Sequence, residues 1–130
     1  MNRSNAAILE GALASFAAGD VPAVLAVCDE QIECHIPGTN LVSGHYTGHQ
    51  ELLGFFKKLY ELSDGTIKVA ATEMFDNGSG TVLATVKITA ERGGRQANFD
   101  AIQHWRFADG KATSLTYYFR DQADPDAFWV

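Results

Sequence analysis

The chain has 130 residues, 46% hydrophobic and 20% charged, with a formal net charge of −6; a length of that order fits one domain with a core of its own. The acidic balance argues against nucleic acid and against an acidic membrane surface as partners, since both want a basic face. No apolar run approaches the roughly 20 residues of a bilayer-spanning helix, and the opening stretch MNRSNAAILEGALASF is too polar and too interrupted for a signal peptide.

A cytoplasmic location is therefore expected, with Cys28 and Cys34 reduced and buried. Ile8, Leu9, Ala12, Leu13 and Phe16 recur at helical spacing and predict a first helix that stops at Gly19. Asp20 is a suitable N-cap for a second helix, with Pro22 in its first turn and Val24, Leu25, Val27 and Cys28 on its apolar side. Glu30–Ile36 reads as a strand, with Ile32, Cys34 and Ile36 on one face and Glu33 and His35 on the other. It breaks at Pro37-Gly38. The stretch that follows, up to Gly48, mixes His, Thr, Asn, Ser and Tyr in one irregular segment, an expected cavity lining. Leu52, Phe55, Phe56, Leu59 and Tyr60 then mark a third helix.

The period changes in the second half. Thr66–Asp76, Thr81–Glu91, Gln96–Phe107 and Ala112–Arg120 are rich in β-branched and aromatic residues, and Gly-bearing turns separate them at 77–80, 92–95 and 109–110. The expectation is an antiparallel meander of four long strands that curls around three helices in the N-terminal half: an α+β cone with an open mouth. Asp124–Trp129 predicts a capped apolar turn docked on the body.

Four motifs in this order carry a resemblance. They are Phe16-Ala17-Ala18-Gly19-Asp20, His35-Ile36-Pro37-Gly38, Gly44-His45-Tyr46-Thr47-Gly48, and Trp105-Arg106-Phe107-Ala108-Asp109-Gly110-Lys111. With them the chain resembles the NTF2-like superfamily, in its SnoaL-like, ketosteroid-isomerase-like branch, over almost its whole length. The resemblance implies the cone fold. It leaves function open, because one fold hosts many activities. In ketosteroid isomerases the general base is a carboxylate at the position that His35 occupies here. Their oxyanion tyrosine corresponds to Ala12, and their protonated carboxylic acid to Gln103. The base is thus changed in kind and both donors are changed, which argues against steroid isomerisation in that form. The catalytic carboxylate of the polyketide cyclases has Asp121 as its nearest counterpart.

His35 is the leading candidate for a general base, since a neutral imidazole accepts a proton near neutral pH. The resemblance turns it inward. Gln103 shares a strand face with Phe99, Ala101 and Trp105, and Tyr117 shares one with Leu115 and Phe119. Gln103, Tyr117 and Asp121 complete the expected catalytic set, and Tyr46, Phe56, Phe99, Trp105 and Phe119 the expected substrate-binding set. No metal ligand spacing is present among the histidines. Two readings follow. One is an isomerase, cyclase or hydratase of an apolar or aromatic substrate, needing no cofactor, with His35 as base. The other is a non-catalytic ligand-binding or dimerisation module. In both a homodimer is expected through the convex sheet face, using Ile102, His104, Arg106 and Tyr118.

Overall fold

The computed structural model describes residues 3–130. Its elements run α1 (Asn5–Ala17), α2 (Val21–Ala26), β1 (Cys28–Ile36), β2 (Gly44–Thr47), α3 (Gly48–Leu62), β3 (Lys68–Asp76), β4 (Thr81–Arg92), β5 (Arg95–Ala108), β6 (Lys111–Phe119) and α4 (Ala123–Phe128). Short polar side chains start the first two helices. Ser4 Oγ accepts from the Ala7 N–H at 3.1 Å and Asp20 Oδ1 from the Ala23 N–H at 3.2 Å, each relieving one of the free donors of a helix N-terminus. Ahead of α3, the Glu51 carboxylate reaches back to the Thr47 N–H at 2.9 Å.

The strands form one curved sheet in the order β2-β1-β6-β5-β4-β3. Every neighbouring pair is antiparallel except β1 and β6, which run parallel. The hairpins closed as their residues require. Gly93 and Gly94, with φ of 57° and 78°, link β4 to β5 in two residues, and Asp109 and Gly110, with φ of 51° and 76°, link β5 to β6. Both centres of such a turn need positive φ, which glycine supplies without strain.

Strand alternation sorts the sheet into two faces. On β4 the buried residues are Val82, Ala84, Val86, Ile88 and Ala90, and on β5 they are Ala97, Phe99, Ala101, Gln103, Trp105 and Phe107. Helices α1, α2 and α3 cover this concave face with Leu9, Phe16, Val24, Leu52, Phe55, Phe56 and Leu59, so the core lies between helices and sheet.

Two elements depart from expectation. The irregular stretch after Pro37 contains a short strand, β2, which pairs with β1 from Glu33↔Thr47 to Ile36↔Gly44. Its sequence carries no alternating pattern, so only the neighbour strand reveals it. The predicted terminal turn is a fourth helix, α4, so the sheet is not served by three helices alone. Six residues cannot sustain a helix in water; α4 exists because Phe128 and Trp129 are buried, at 5% and 3% exposure.

Candidate functional site

A cavity lies between the helices and the concave face. Its wall takes Ala12, Leu13 and Phe16 from α1, Val24 from α2, Phe55, Phe56 and Leu59 from α3, Val69 from β3, Gln103 and Trp105 from β5, and Leu115 and Tyr117 from β6. The cavity volume is about 30 Å³. That is room for only a couple of waters. An apolar ring entering it must push side chains of α1 and α3 aside.

One polar chain interrupts this apolar wall. Trp105 Nε1–H donates to Gln103 Oε1 at 2.9 Å, and Gln103 Nε2–H donates to the Tyr117 hydroxyl at 2.7 Å. Gln103 and Tyr117 are cross-strand partners on β5 and β6, and Trp105 is two residues along the same face of β5, so strand geometry alone brings the three together. Gln103 is 2% exposed, and its amide would be costly there without partners. Burial holds the Tyr117 hydroxyl above the ordinary phenol range, the neighbouring Cys34 thiol adds to this, and the hydrogen bond from Gln103 opposes it. Tyr117 is therefore a neutral hydroxyl at physiological pH. Burial likewise pushes Cys28 up to about 11 and Cys34 up to about 12, so neither thiol is a nucleophile at neutral pH.

Of the residues singled out by sequence, Gln103, Tyr117, Trp105 and Phe56 lie in this wall. The others do not. His35 is exposed on the outer face of β1. Its ring sits beside that of His45, its partner across the β1–β2 pair, with centroids 6.1 Å apart. The expected inward turn is absent because the alternation Ile32, Cys34, Ile36 stays unbroken to the end of the strand, while the register shift against β6 falls before it, between Cys28 and Glu33. Asp121 is exposed and accepts from the Ala123 N–H at 3.1 Å, an ordinary turn bond ahead of α4. Phe99 is buried under α4, edge-on to Phe119 at 6.1 Å and to Phe128 at 5.7 Å. Phe119 belongs to that same cluster. Tyr46 packs at a tilt against Phe55, with centroids 4.8 Å apart, and donates to the Val42 carbonyl at 2.8 Å, outside the cavity wall.

The polar segment between β1 and β2 does not line the cavity either. Its side chains bond the segment to itself and to α4. Ser43 Oγ donates to the Pro37 carbonyl at 3.0 Å, and Asn40 Oδ1 accepts from the Val42 N–H at 3.0 Å. Asp126 Oδ1 of α4 accepts from the Thr39 N–H at 3.0 Å, from Asn40 Nδ2 at 2.8 Å and from Gln122 Nε2 at 3.2 Å. The Thr39 bond, then that from Asn40, holds the Asp126 carboxyl below its ordinary range. Gly38, at φ 103°, passes so close to Asp126 and Gln122 that a Cβ would collide with both. His49 Nε2 lies 2.9 Å from the Cys28 carbonyl and serves the start of α3.

The residues left out of the expected site are Val69 and Leu115 of the sheet and the helix side chains of the wall other than Phe56. Ala12 is the one with a signal. A small residue inside the stripe Ile8, Leu9, Leu13, Phe16 leaves space at the centre of a helix face, opposite the sheet.

A SnoaL-like domain model matches residues 9–115, which spans α1 to the middle of β6. The chain belongs to the SnoaL-like domain family. An uncharacterised protein of Mycobacterium tuberculosis is similar to this SnoaL-like chain at 25% identity over 117 residues, 90% of this chain and 89% of the relative. Among solved structures, Bal32a, from a soil-derived mobile gene cassette, superimposes with a TM-score of 0.94 at 25% identity, covering 97% of this chain and 96% of its own. TerC, co-crystallised with polyporic acid, follows the same fold with a TM-score of 0.79 at 23% identity, covering 95% and 97%. Neighbours of this kind place the SnoaL-like chain in the NTF2-like fold, α+β with one curved sheet.

Proposed function

We propose that this chain is a ligand-binding module of the SnoaL-like family, which takes a small apolar or aromatic molecule into the cavity under α1 and α3. One observation carries the reading. Among the described residues, the cavity wall contains no carboxylate and no imidazole, and its polar groups are the neutral Gln103, Trp105 and Tyr117. An isomerase, cyclase or hydratase working by proton abstraction needs a base within hydrogen-bond reach of the substrate. His35, the candidate for that task, faces solvent on the other side of the sheet. The cavity has the lining that binding uses, apolar walls and a few polar groups, and a ring gains its room as side chains of α1 and α3 give way.

The test is two-dimensional NMR with ethylbenzene as the probe. Saturable shifts are expected at amides of α1, α3 and β5, with the same affinity within about twofold in His35→Gln, and with binding lost in Ala12→Leu, which fills the space. Shifts confined to β1 and β2, or loss of binding in His35→Gln, would overturn the reading and return His35 to the site.

The convex face completes the proposal: a homodimer in which two copies pair through the sheet. A row of cross-strand partners, Phe75, Leu83, His104, Thr116, His35 and His45, crosses all six strands on this face. Ile102 and Tyr118 pair in the next row. Phe75 and Tyr118 are each 55% exposed, Ile102 42% and Leu83 38%, an apolar surface larger than scattered single residues account for. The His104 Nε2 atom is buried without a hydrogen-bond partner, the sole such side-chain atom among the described residues. Sedimentation should give a dimer at micromolar concentration and a folded monomer for Ile102→Lys. A wild-type monomer under those conditions would sink the dimer.

A further inference from the structure

The direction of the Gln103 amide has a chemical consequence for what the cavity accepts. An indole N–H is a donor only, with no acceptor capacity. Trp105 Nε1 lies 2.9 Å from one end of the Gln103 amide, and that end must therefore be the carbonyl oxygen. Reversing the amide would set two donors against each other at that distance. The NH2 end consequently faces Tyr117, whose oxygen accepts from it at 2.7 Å. A hydroxyl that accepts from the amide keeps its own proton for another partner. No acceptor for that proton exists among the described residues, and the second N–H of Gln103 has none either. Both groups belong to the cavity wall.

We infer that Trp105 sets the polarity of the cavity: by locking Gln103 it leaves hydrogen-bond donors at the polar end, so the ligand is an uncharged molecule that carries an acceptor, such as a ketone, on an apolar ring. The inference rests on the cavity being a binding site, and it adds the chemistry of the ligand and a positioning role for Trp105. An apolar ligand without an acceptor leaves the Tyr117 proton buried and unpaired, which costs about tenfold in affinity or more. An alcohol can accept from Tyr117 but brings a proton of its own, for which the Gln103 oxygen keeps only its second lone pair, at the amide end turned to Trp105. A carboxylate meets no cation in the wall.

Acetophenone, 1-phenylethanol, ethylbenzene and benzoate share one ring and differ at the polar end, and their affinities are read by NMR titration at neutral pH. Acetophenone is expected to bind at least about tenfold more tightly than ethylbenzene and benzoate, and several-fold more tightly than 1-phenylethanol. Tyr117→Phe should shrink the preference of acetophenone over ethylbenzene about tenfold, since it removes both the bond to the ketone and the proton that the hydrocarbon leaves unpaired. Trp105→Phe frees the amide to turn, so the preference for the ketone over the alcohol should collapse. A merely structural role for Trp105 would weaken all four ligands alike. Equal binding of acetophenone and ethylbenzene to the wild-type protein overturns the inference while leaving the cavity as a binding site. Binding of none of the four overturns the cavity reading and the inference with it. The wild-type ratios decide the matter even if the Trp105 variant does not fold.

Discussion

Gln103→Leu lowers the unfolding free energy by about 2–4 kcal/mol, although leucine is apolar and of similar size. The substitution leaves the Trp105 N–H without its acceptor and the Tyr117 oxygen without its donor, both in a buried site. Each stranded group costs on the order of 1–3 kcal/mol, whereas a satisfied hydrogen bond contributes only about 1 kcal/mol net. The gain from burying an apolar side chain in place of an amide offsets part of this. Tyr117→Phe is the contrasting variant. It strands one group only, the Gln103 NH2, so its cost is about 1–3 kcal/mol, below that of the leucine variant. Urea unfolding, with the m-value unchanged, gives both numbers. A loss below about 0.5 kcal/mol for Gln103→Leu would mean that the three side chains are not bonded to one another in solution.

Phe128→Ala has an effect of similar or larger size at the other end of the sheet, about 3–5 kcal/mol, the usual range for emptying a buried aromatic site. Phe128 is 5% exposed and meets Phe99 edge-on at 5.7 Å, Trp129 at 4.7 Å and the Arg95 guanidinium at 5.5 Å. Helix α4 has two aromatic seats, Phe128 and Trp129, and a helix of 6 residues does not form without them. Its release takes with it the Asp126 carboxylate that fastens the Thr39 N–H, and the Trp129 carbonyl that accepts from the Leu41 N–H at 2.8 Å. Amide hydrogen exchange should therefore quicken first at Thr39 and Leu41, ahead of the amides of β4 and β5. If those two amides exchange as slowly as in the wild type while the protein stays folded, α4 is not the clamp on that segment.

Period and punctuation made most of the scaffold readable from the chain. The stripe from Ile8 to Phe16, the cap at Asp20 and the glycine turns at 93–94 and 110 are local signals, because helix and hairpin geometry is settled by neighbours in sequence. The face of Gln103 was legible for the same reason: alternation along β5 puts it with Phe99, Ala101 and Trp105. Strand β2 had no such signal, and at Asp124–Trp129 the sequence shows a capped apolar turn but not helix α4. Each is formed by contacts with residues distant in the chain, β2 by its ladder to β1 and α4 by its aromatic seat on β5. The same division explains His35 and the polar segment after it. Residue types suited to chemistry stood together in the chain and suggested a site, yet the alternation in β1 sends His35 outward, and Asp126, more than 80 residues on, claims Thr39 and Asn40 for structure. Local order along the chain sufficed for the helices, the long strands and the faces of their residues. Which polar groups were consumed as internal hydrogen bonds, and which were left facing a cavity, depended on partners that only folding brings within 3 Å, as the Trp105–Gln103–Tyr117 chain at 2.9 and 2.7 Å shows.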